Sequence, residues 1–248
     1  MERKVFGVLG GMGPQASAEF LKTIYEYSTG AEQQFPIVMV YSDPTFPDRT
    51  AAFQRGDEDS VLKPLIEGLA KLSLLDASEI VICCMTIHHL LPRVPLELRR
   101  PVVSMLDTIF DQLVVNPRQY LLLSSSGTRQ FRLFEQHSLW PEFRECFVMP
   151  GDEDQERIHR DLIYPLKNNP DPRAGAPFIE DLLAKYGVDG FIAGCSEMHL
   201  FAKHFARAEN NPLGVKFVDP LLKLAQEWAN AGRYLSYSPE PVASSCSS

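Results

Sequence analysis

Two short apolar runs in this chain end in the same way, and that repetition restricts the fold more than any other feature. Glu79–Cys84 runs into Cys84-Met85-Thr86, and Gly190–Ala193 runs into Gly194-Cys195-Ser196. Each is too short for a buried helix and is followed by helical periodicity, so each reads as a buried strand ending at a strand-to-helix turn. The same alternation recurs along the chain. Val5–Leu9 stops at Gly10-Gly11, and a helix pattern starts near Pro14 and carries Phe20, Leu21 and Ile24. Ile37–Tyr41 is strand-like. Val61–Leu75 is an amphipathic helix with apolar residues at 61, 62, 65, 66, 69 and 72. A helical start at Thr86–Leu91, a strand at Pro101–Met105 and a helix at Asp107–Leu113 complete the first half. In the second half, Tyr120–Leu123 stops at Ser124-Ser125-Ser126-Gly127-Thr128, Phe178–Tyr186 is helical, and Val215–Val218 leads to Asp219, which caps a last helix through Trp228. Strand alternating with helix predicts an α/β fold of parallel sheets covered by helices. The repetition predicts two pseudo-symmetric lobes with a cleft between them. The expected division is 1–107 plus 215–233 for the first lobe, 108–214 for the second, and an unstructured tail at 234–248, rich in Ser and Pro.

Charge and composition remove several function classes. The formal net charge is −8 and no dense Lys/Arg run appears, which argues against a nucleic-acid partner. No apolar run approaches the ~20 residues that span a bilayer. Met1–Pro14 has a basic pair and a short apolar run, but that run breaks at Gly10-Gly11 without a small-residue cleavage site, so it reads as a first buried strand of a cytoplasmic protein. The five cysteines, at 83, 84, 146, 195 and 246, are odd in number and irregular in spacing, a poor disulfide framework that fits a reducing compartment. None has C-x-x-C spacing.

The chemistry-bearing positions cluster at the predicted strand ends, where parallel sheets bind ligands. Gly10-Gly11-Met12-Gly13-Pro14 allows close backbone approach to a ligand and offers helix N–H groups to an anion. It lacks the spacing and the lysine of a phosphate loop. A lone cysteine is more often core than catalyst. The matched placement of Cys84 and Cys195 reverses that preference, and a thiol at a helix N-terminus is acidified. Two opposed weak bases suit removal of a proton from one face of a carbon and its return to the other. Cys83, one residue earlier in a strand, points to the opposite face and is assigned to the core. His88, His89 and His199 follow the two cysteines. A metal site of Cys84, His88 and Cys195 is weighed against histidines that bond backbone or orient the thiols, and the second reading is preferred because no carboxylate support is identifiable. Glu197 is a capping residue or a partner for a substrate ammonium group. Arg49 and Lys167 read as ordinary surface cations on spacing alone.

The motifs in combination resemble the aspartate racemase branch of the aspartate/glutamate racemases. Those motifs are Gly-Val-Leu-Gly-Gly-Met-Gly-Pro at 7–14, Pro-Asp-Arg-Thr at 47–50, Cys84-Met85-Thr86 with His88, Gly127-Thr128, the segment 163–167, and Gly-Cys-Ser-Glu at 194–197. The resemblance covers roughly residues 4–230. It implies two α/β lobes with the active site between them, racemisation of a small amino-acid substrate without pyridoxal phosphate, other cofactor or metal, and a homodimer. Cys84 and Cys195 would be the catalytic pair, acting on the D- and L-enantiomer respectively. Arg49 and Lys167 would hold the side-chain carboxylate of aspartate, and Thr86, Thr128 and Ser196 the α-carboxylate and ammonium groups. Met12, Met85 and Glu197 complete the expected substrate contacts. The chain departs from the family pattern at Met85, where Asn is usual, at Ser196 for Thr, at Met198-His199, and at Phe131 for a small serine. These departures bear on substrate identity. A racemase for glutamate or a broader amino-acid range, a hydantoin racemase, a maleate isomerase, and a non-catalytic binding protein are the alternatives.

Overall fold

The computed structural model describes residues 4–231. The predicted tail at 234–248, with Cys246, lies outside them. Among the described residues, seven strands form two parallel sheets. The first contains β1 (Val5–Gly10), β2 (Ile37–Ser42) and β3 (Ala77–Ile82) in the order β2-β1-β3. The second contains β4 (Tyr120–Ser124), β5 (Phe147–Val148), β6 (Gly190–Gly194) and β7 (Lys216–Val218) in the order β5-β4-β6-β7. The helices used below are α1 (Pro14–Tyr27), α2 (Arg49–Gln54), α3 (Asp59–Ser73), α4 (Met105–Val115), α5 (Ser126–Gln130), α6 (Tyr164–Asn168), α7 (Ala176–Tyr186), α8 (Met198–Phe205) and α9 (Pro220–Ala231).

Alternation along the strands sorts the apolar side chains into three layers. Phe6 and Val8 of β1, Val81 of β3, Tyr120 and Leu122 of β4, and Ile192 of β6 share one core with α1, α4 and α9. This core joins the two sheets. Phe6 stacks on Trp228 of α9 at 4.5 Å, and Trp228 Nε1 donates to Glu79 Oε2 at 3.0 Å. The opposite strand faces pack outward. Ile80 and Ile82 meet Val61, Leu65 and Leu69 of α3. Leu121, Leu123, Phe191 and Ala193 meet α7 and α8. Cys83 sits in the joining core and Cys84 in the outer layer, so adjacent cysteines face opposite sides as expected.

Several boundaries differ from the sequence expectation. β3 stops at Ile82, and Cys84 lies in the turn beyond it. Pro101–Met105 is not a strand. Ile80 N donates to Pro101 O and Val103 N to Ile80 O, which makes a single bridge at Val102. Ser104 then caps α4 by accepting from Asp107 N, so the helix begins at Met105 before a ladder can form. Thr86–Arg93 is a 3₁₀ segment that Pro92 prevents from continuing as an α-helix. The strand at 216–218 pairs with β6 and so belongs to the second sheet, although its segment was grouped with the first lobe. The helix after it, α9, does pack on α1.

A buried polar network locks the elements behind the cleft. His199 of α8 places Nδ1 2.5 Å from Asp219 Oδ2 and Nε2 2.9 Å from Thr23 Oγ1 of α1. Asp219 Oδ1 also accepts from Leu221 N, capping α9. All three side chains are buried. Asp219→Ala removes a cap and leaves His199 Nδ1 buried without a partner. A loss of about 2–4 kcal/mol of unfolding free energy is expected, measured by urea denaturation. A loss below about 0.5 kcal/mol, the size of an ordinary surface change, would contradict this role for the network.

Candidate active site

The site forms where the strand-end turns of both sheets meet. The turn after β1 passes close to the backbone beyond β2. Gly11 has φ +92°, and a Cβ there would lie 2.2 Å from Asp43 O, so only glycine fits. Met12 follows and lines the pocket, and its carbonyl accepts from Arg49 Nη2. Asp48 caps α2 through Ala51 N at 2.9 Å and so places Arg49 in the first turn, buried in the pocket wall. Arg49 Nη1 donates to Pro47 O at 3.0 Å, while Nε is buried without a partner. Burial opposes the charge on Arg49. Its pKa is nevertheless raised, because negative charge at Cys84, Asp48 and Glu197 lies close by and Cys84 is within hydrogen-bond reach.

Cys84 is held by its backbone. Its N–H donates to Ile82 O at 2.7 Å. His88 accepts from Met105 N at Nε2, so its ring proton is on Nδ1 and donates to Cys84 O at 3.1 Å. Burial keeps His88 below the ordinary histidine range. Both ring nitrogens thus serve the backbone. Among the described residues, no group of three His, Cys, Asp or Glu side chains converges as a metal site. Two residues on, Thr86 Oγ1 lies 2.9 Å from both Ser125 Oγ and Thr128 Oγ1. This hydroxyl triangle ties the turn after β3 to the N-terminus of α5, where Ser125 is the cap. Gly127 permits the approach, since a Cβ there would meet Thr50 Oγ1 at 2.8 Å.

The second sheet contributes Cys195, Ser196 and Glu197, just past β6. Cys195 Sγ donates to Glu197 Oε2 at 2.8 Å, and Ser196 Oγ donates to the same oxygen at 3.2 Å. Glu197 Oε1 is buried without a partner. It fills the space beside Gly13, where a Cβ would lie 2.2 Å from it. Burial, the Glu197 charge and the hydrogen bond to Glu197 push the Cys195 thiol up, and Lys167 acts in the opposite sense. Lys167, on α6, lies 3.6 Å from Asp48 Oδ2 and 4.2 Å over the Tyr164 ring. Tyr164 donates to Asp48 Oδ2 at 2.7 Å.

The pocket enclosed by these groups has an empty volume of about 270 Å³. Met12, Arg49, Cys84, Thr86, Lys167, Cys195, Ser196 and Glu197 all line it. Thr128 does not; it stands behind Thr86 as a hydrogen-bond partner. Met85 does not either. Its side chain is buried in the joining core, so replacing the usual Asn here adds apolar packing and no pocket contact. Phe131 also lies away from the pocket, stacked on His89 at 3.7 Å. Sequence reasoning missed Asp48, Thr50 and Ser125 as lining residues. Asp48 stands inside the Pro-Asp-Arg-Thr motif, and Ser125 has the cap position before a helix, so both carried a local signal.

Asp48 supplies a pH dependence. Burial raises its pKa, but the Ala51 N–H, Tyr164, Lys167 and Arg49 outweigh that and leave it below the ordinary 3.8. A carboxyl depressed on folding contributes stability above its unfolded value, and that contribution is lost as pH falls through the folded value. Asp48→Asn should therefore be less stable than the parent at neutral pH, with the gap narrowing below about pH 4. Urea midpoints measured from pH 2 to 7 check this. A gap that stays constant or widens in acid would contradict it.

Known proteins share this fold. The Asp/Glu/Hydantoin racemase family profile matches residues 9–227. The broad specificity amino-acid racemase RacX of Bacillus subtilis is 25% identical over 164 residues, which cover 63% of this chain and 65% of that protein. Among solved structures, Picrophilus torridus aspartate racemase has a TM-score of 0.77 at 22% identity, covering 93% of this chain and 94% of that one. Glutamate racemase from Campylobacter jejuni has a TM-score of 0.57 at 15% identity, covering 96% and 88%. The solved structures carry the likeness in fold, and the profile extends over nearly every element that builds the pocket, from the end of β1 into α9. The chain is a member of the Asp/Glu/hydantoin racemase family.

Proposed function

We propose that this protein is an amino-acid racemase that works without pyridoxal phosphate or metal and interconverts L- and D-aspartate with Cys84 and Cys195 as its two acid/base groups. The observation that carries this reading is the presence of both thiols, from strand ends of separate sheets, in one small pocket whose wall also holds Arg49 and Lys167. One cysteine, as thiolate, takes the α-proton. The other, as thiol, gives its proton to the opposite face of the planar intermediate, so each turnover moves one proton onto sulfur and one off it. A thiolate is a weak base for an unactivated α-proton, so positioning and electrostatic stabilisation of the intermediate must supply most of the rate. The Arg49 Nε–H and Glu197 Oε1 are both buried and unpartnered, and they suit a substrate carboxylate and ammonium group respectively. Thr86 and Ser196 complete the polar wall. The resemblance extends the reading to a homodimer acting in the cytoplasm, with Cys84 serving the D-enantiomer and Cys195 the L-enantiomer.

A broader amino-acid range is the second reading, and one contact favours it. Asp48 already pairs with Lys167, so the pocket wall carries two cations and two anions. Such a wall accommodates a zwitterion without requiring a second substrate carboxylate. RacX is named for broad specificity.

Two variant sets separate these possibilities. Cys84→Ser and Cys195→Ser should each abolish racemisation, since a full turnover needs both groups. Each variant should still eliminate the leaving group from a β-substituted analogue of one enantiomer only, with opposite preferences, because elimination needs one base. Cys83→Ser should keep the chemistry. Chiral chromatography on folded protein reads all three. Near-normal racemisation by Cys195→Ser, or loss of activity in Cys83→Ser equal to that in Cys84→Ser, would overturn the assignment.

Arg49→Ala should cost about 2–4 kcal/mol in kcat/KM for aspartate, as for a charge left unpaired. Aspartate turnover that survives this change would remove the dicarboxylate reading and leave the broader one.

A further inference from the structure

The two thiols of the pocket face opposite charges. Cys84 shares the pocket wall with the buried guanidinium of Arg49. Cys195 instead gives its hydrogen to a carboxylate. Its Sγ is 2.8 Å from Glu197 Oε2, and Glu197 is 2% exposed. That carboxylate cannot swing away freely. Oε2 also holds the Ser196 hydroxyl at 3.2 Å, and Oε1 is packed against Gly13, where a Cβ would come within 2.2 Å. Glycine at position 13 is therefore the residue that leaves room for the Glu197 side chain.

We propose that Glu197 sets the resting proton distribution of the site: it keeps Cys195 in the thiol form, as the proton donor, and leaves Cys84 as the base. The free enzyme is then loaded for one direction. The substrate Cα–H bond breaks toward Cys84, whose sulfur gains that proton. The Cys195 S–H bond breaks as its proton forms the new Cα–H bond on the other face. The product complex leaves a thiolate on Cys195 beside the Glu197 carboxylate, the costly arrangement of two neighbouring anions. That form is relieved by taking the opposite enantiomer or by reprotonation of Cys195. Glu197 acts through Cys195 and is in this respect a positioning residue. The groups whose charge bears on Cys195 are Glu197, Lys167 and Cys84, and Tyr164 in turn feels the charge of Cys195. Lys167 is the one that favours its ionisation. The catalytic meaning of this proposal rests on the two-cysteine reading above, but its test needs no substrate.

Full-length protein is treated with iodoacetamide from pH 6 to 11, and each cysteine is quantified by peptide mass spectrometry. The midpoint of the pH profile is read, so differences in reagent access cancel. Cys84 should be modified with the lower midpoint, and Cys195 with a midpoint above the ordinary 9.0. In Glu197→Gln, the Cys195 midpoint should fall by at least about one pH unit, a tenfold change in thiolate fraction, while the Cys84 midpoint stays within about 0.3. Cys83 is fully buried and reports loosening of the fold, so the variant is compared only where Cys83 remains unmodified. If the variant loosens, the native profile alone decides. A Cys195 midpoint at or below that of Cys84, or one unmoved in a folded Glu197→Gln protein, would overturn the proposal.

Discussion

The core shared by both sheets is the constraint on which the site depends. Phe6, Val8, Tyr120, Leu122, Ile192 and Trp228 are packed in one apolar layer with α1, α4 and α9. Protein interiors are close-packed, so such a layer fixes the two sheets against each other with little freedom. Because every strand pairing is parallel, the following helices lie on the sheet faces and the carboxyl ends of the strands are left with their turns. Fixing the sheets therefore brings the turns after β1, β3, β4 and β6 together around one small volume. Polar contacts then set the fine spacing. The Thr86–Ser125–Thr128 triangle, the Tyr164–Asp48 bond and the His199–Asp219–Thr23 network all connect segments distant in sequence.

Within that volume, charge is arranged in pairs. Arg49 lies against Cys84, and Lys167 lies against Asp48. Glu197 takes the hydrogen of Cys195. Arg49 and Glu197, which both line the pocket, each bury one polar atom without a partner, Arg49 Nε and Glu197 Oε1. The same pairing gives the two thiols unequal surroundings. A reaction that passes a proton from one face of a carbon to the other needs one group charged and one protonated at the start, and unequal surroundings provide that without a further residue.

The fold was legible because its signals are local and repeated. Strand β1 with its glycine turn, α1, α3 and the two cysteine-bearing turns all stand in short windows, and Cys83 and Cys84 face opposite sides although both lie just past the end of β3. The errors occurred where a local pattern met a tertiary contact. Val102-Val103 has strand composition, but Ser104 caps α4 too soon for a ladder to develop. The division that groups 215–233 with the first lobe matches α9, which packs on α1, but not the strand at 216–218, whose pairing with β6 is invisible in sequence. At the site, the family resemblance makes Met85 a substrate contact, yet its side chain turns into the core. Asp48 and Ser125 stand within quoted motifs, but nothing in the sequence alone shows that they line the pocket. The Cys195–Glu197 hydrogen bond required side-chain geometry that spacing alone does not supply.

Solvent-deuterium incorporation at the α-carbon tests the two-thiol account most directly. Each enantiomer of aspartate is incubated separately in deuterium oxide, and both the remaining substrate and the product are analysed at low conversion. Two groups on opposite faces predict that product molecules carry deuterium at the α-carbon while recovered substrate stays protiated. Deuterium entering substrate and product together from the first time points would mean that one group serves both faces, and would contradict the pairing of Cys84 with Cys195.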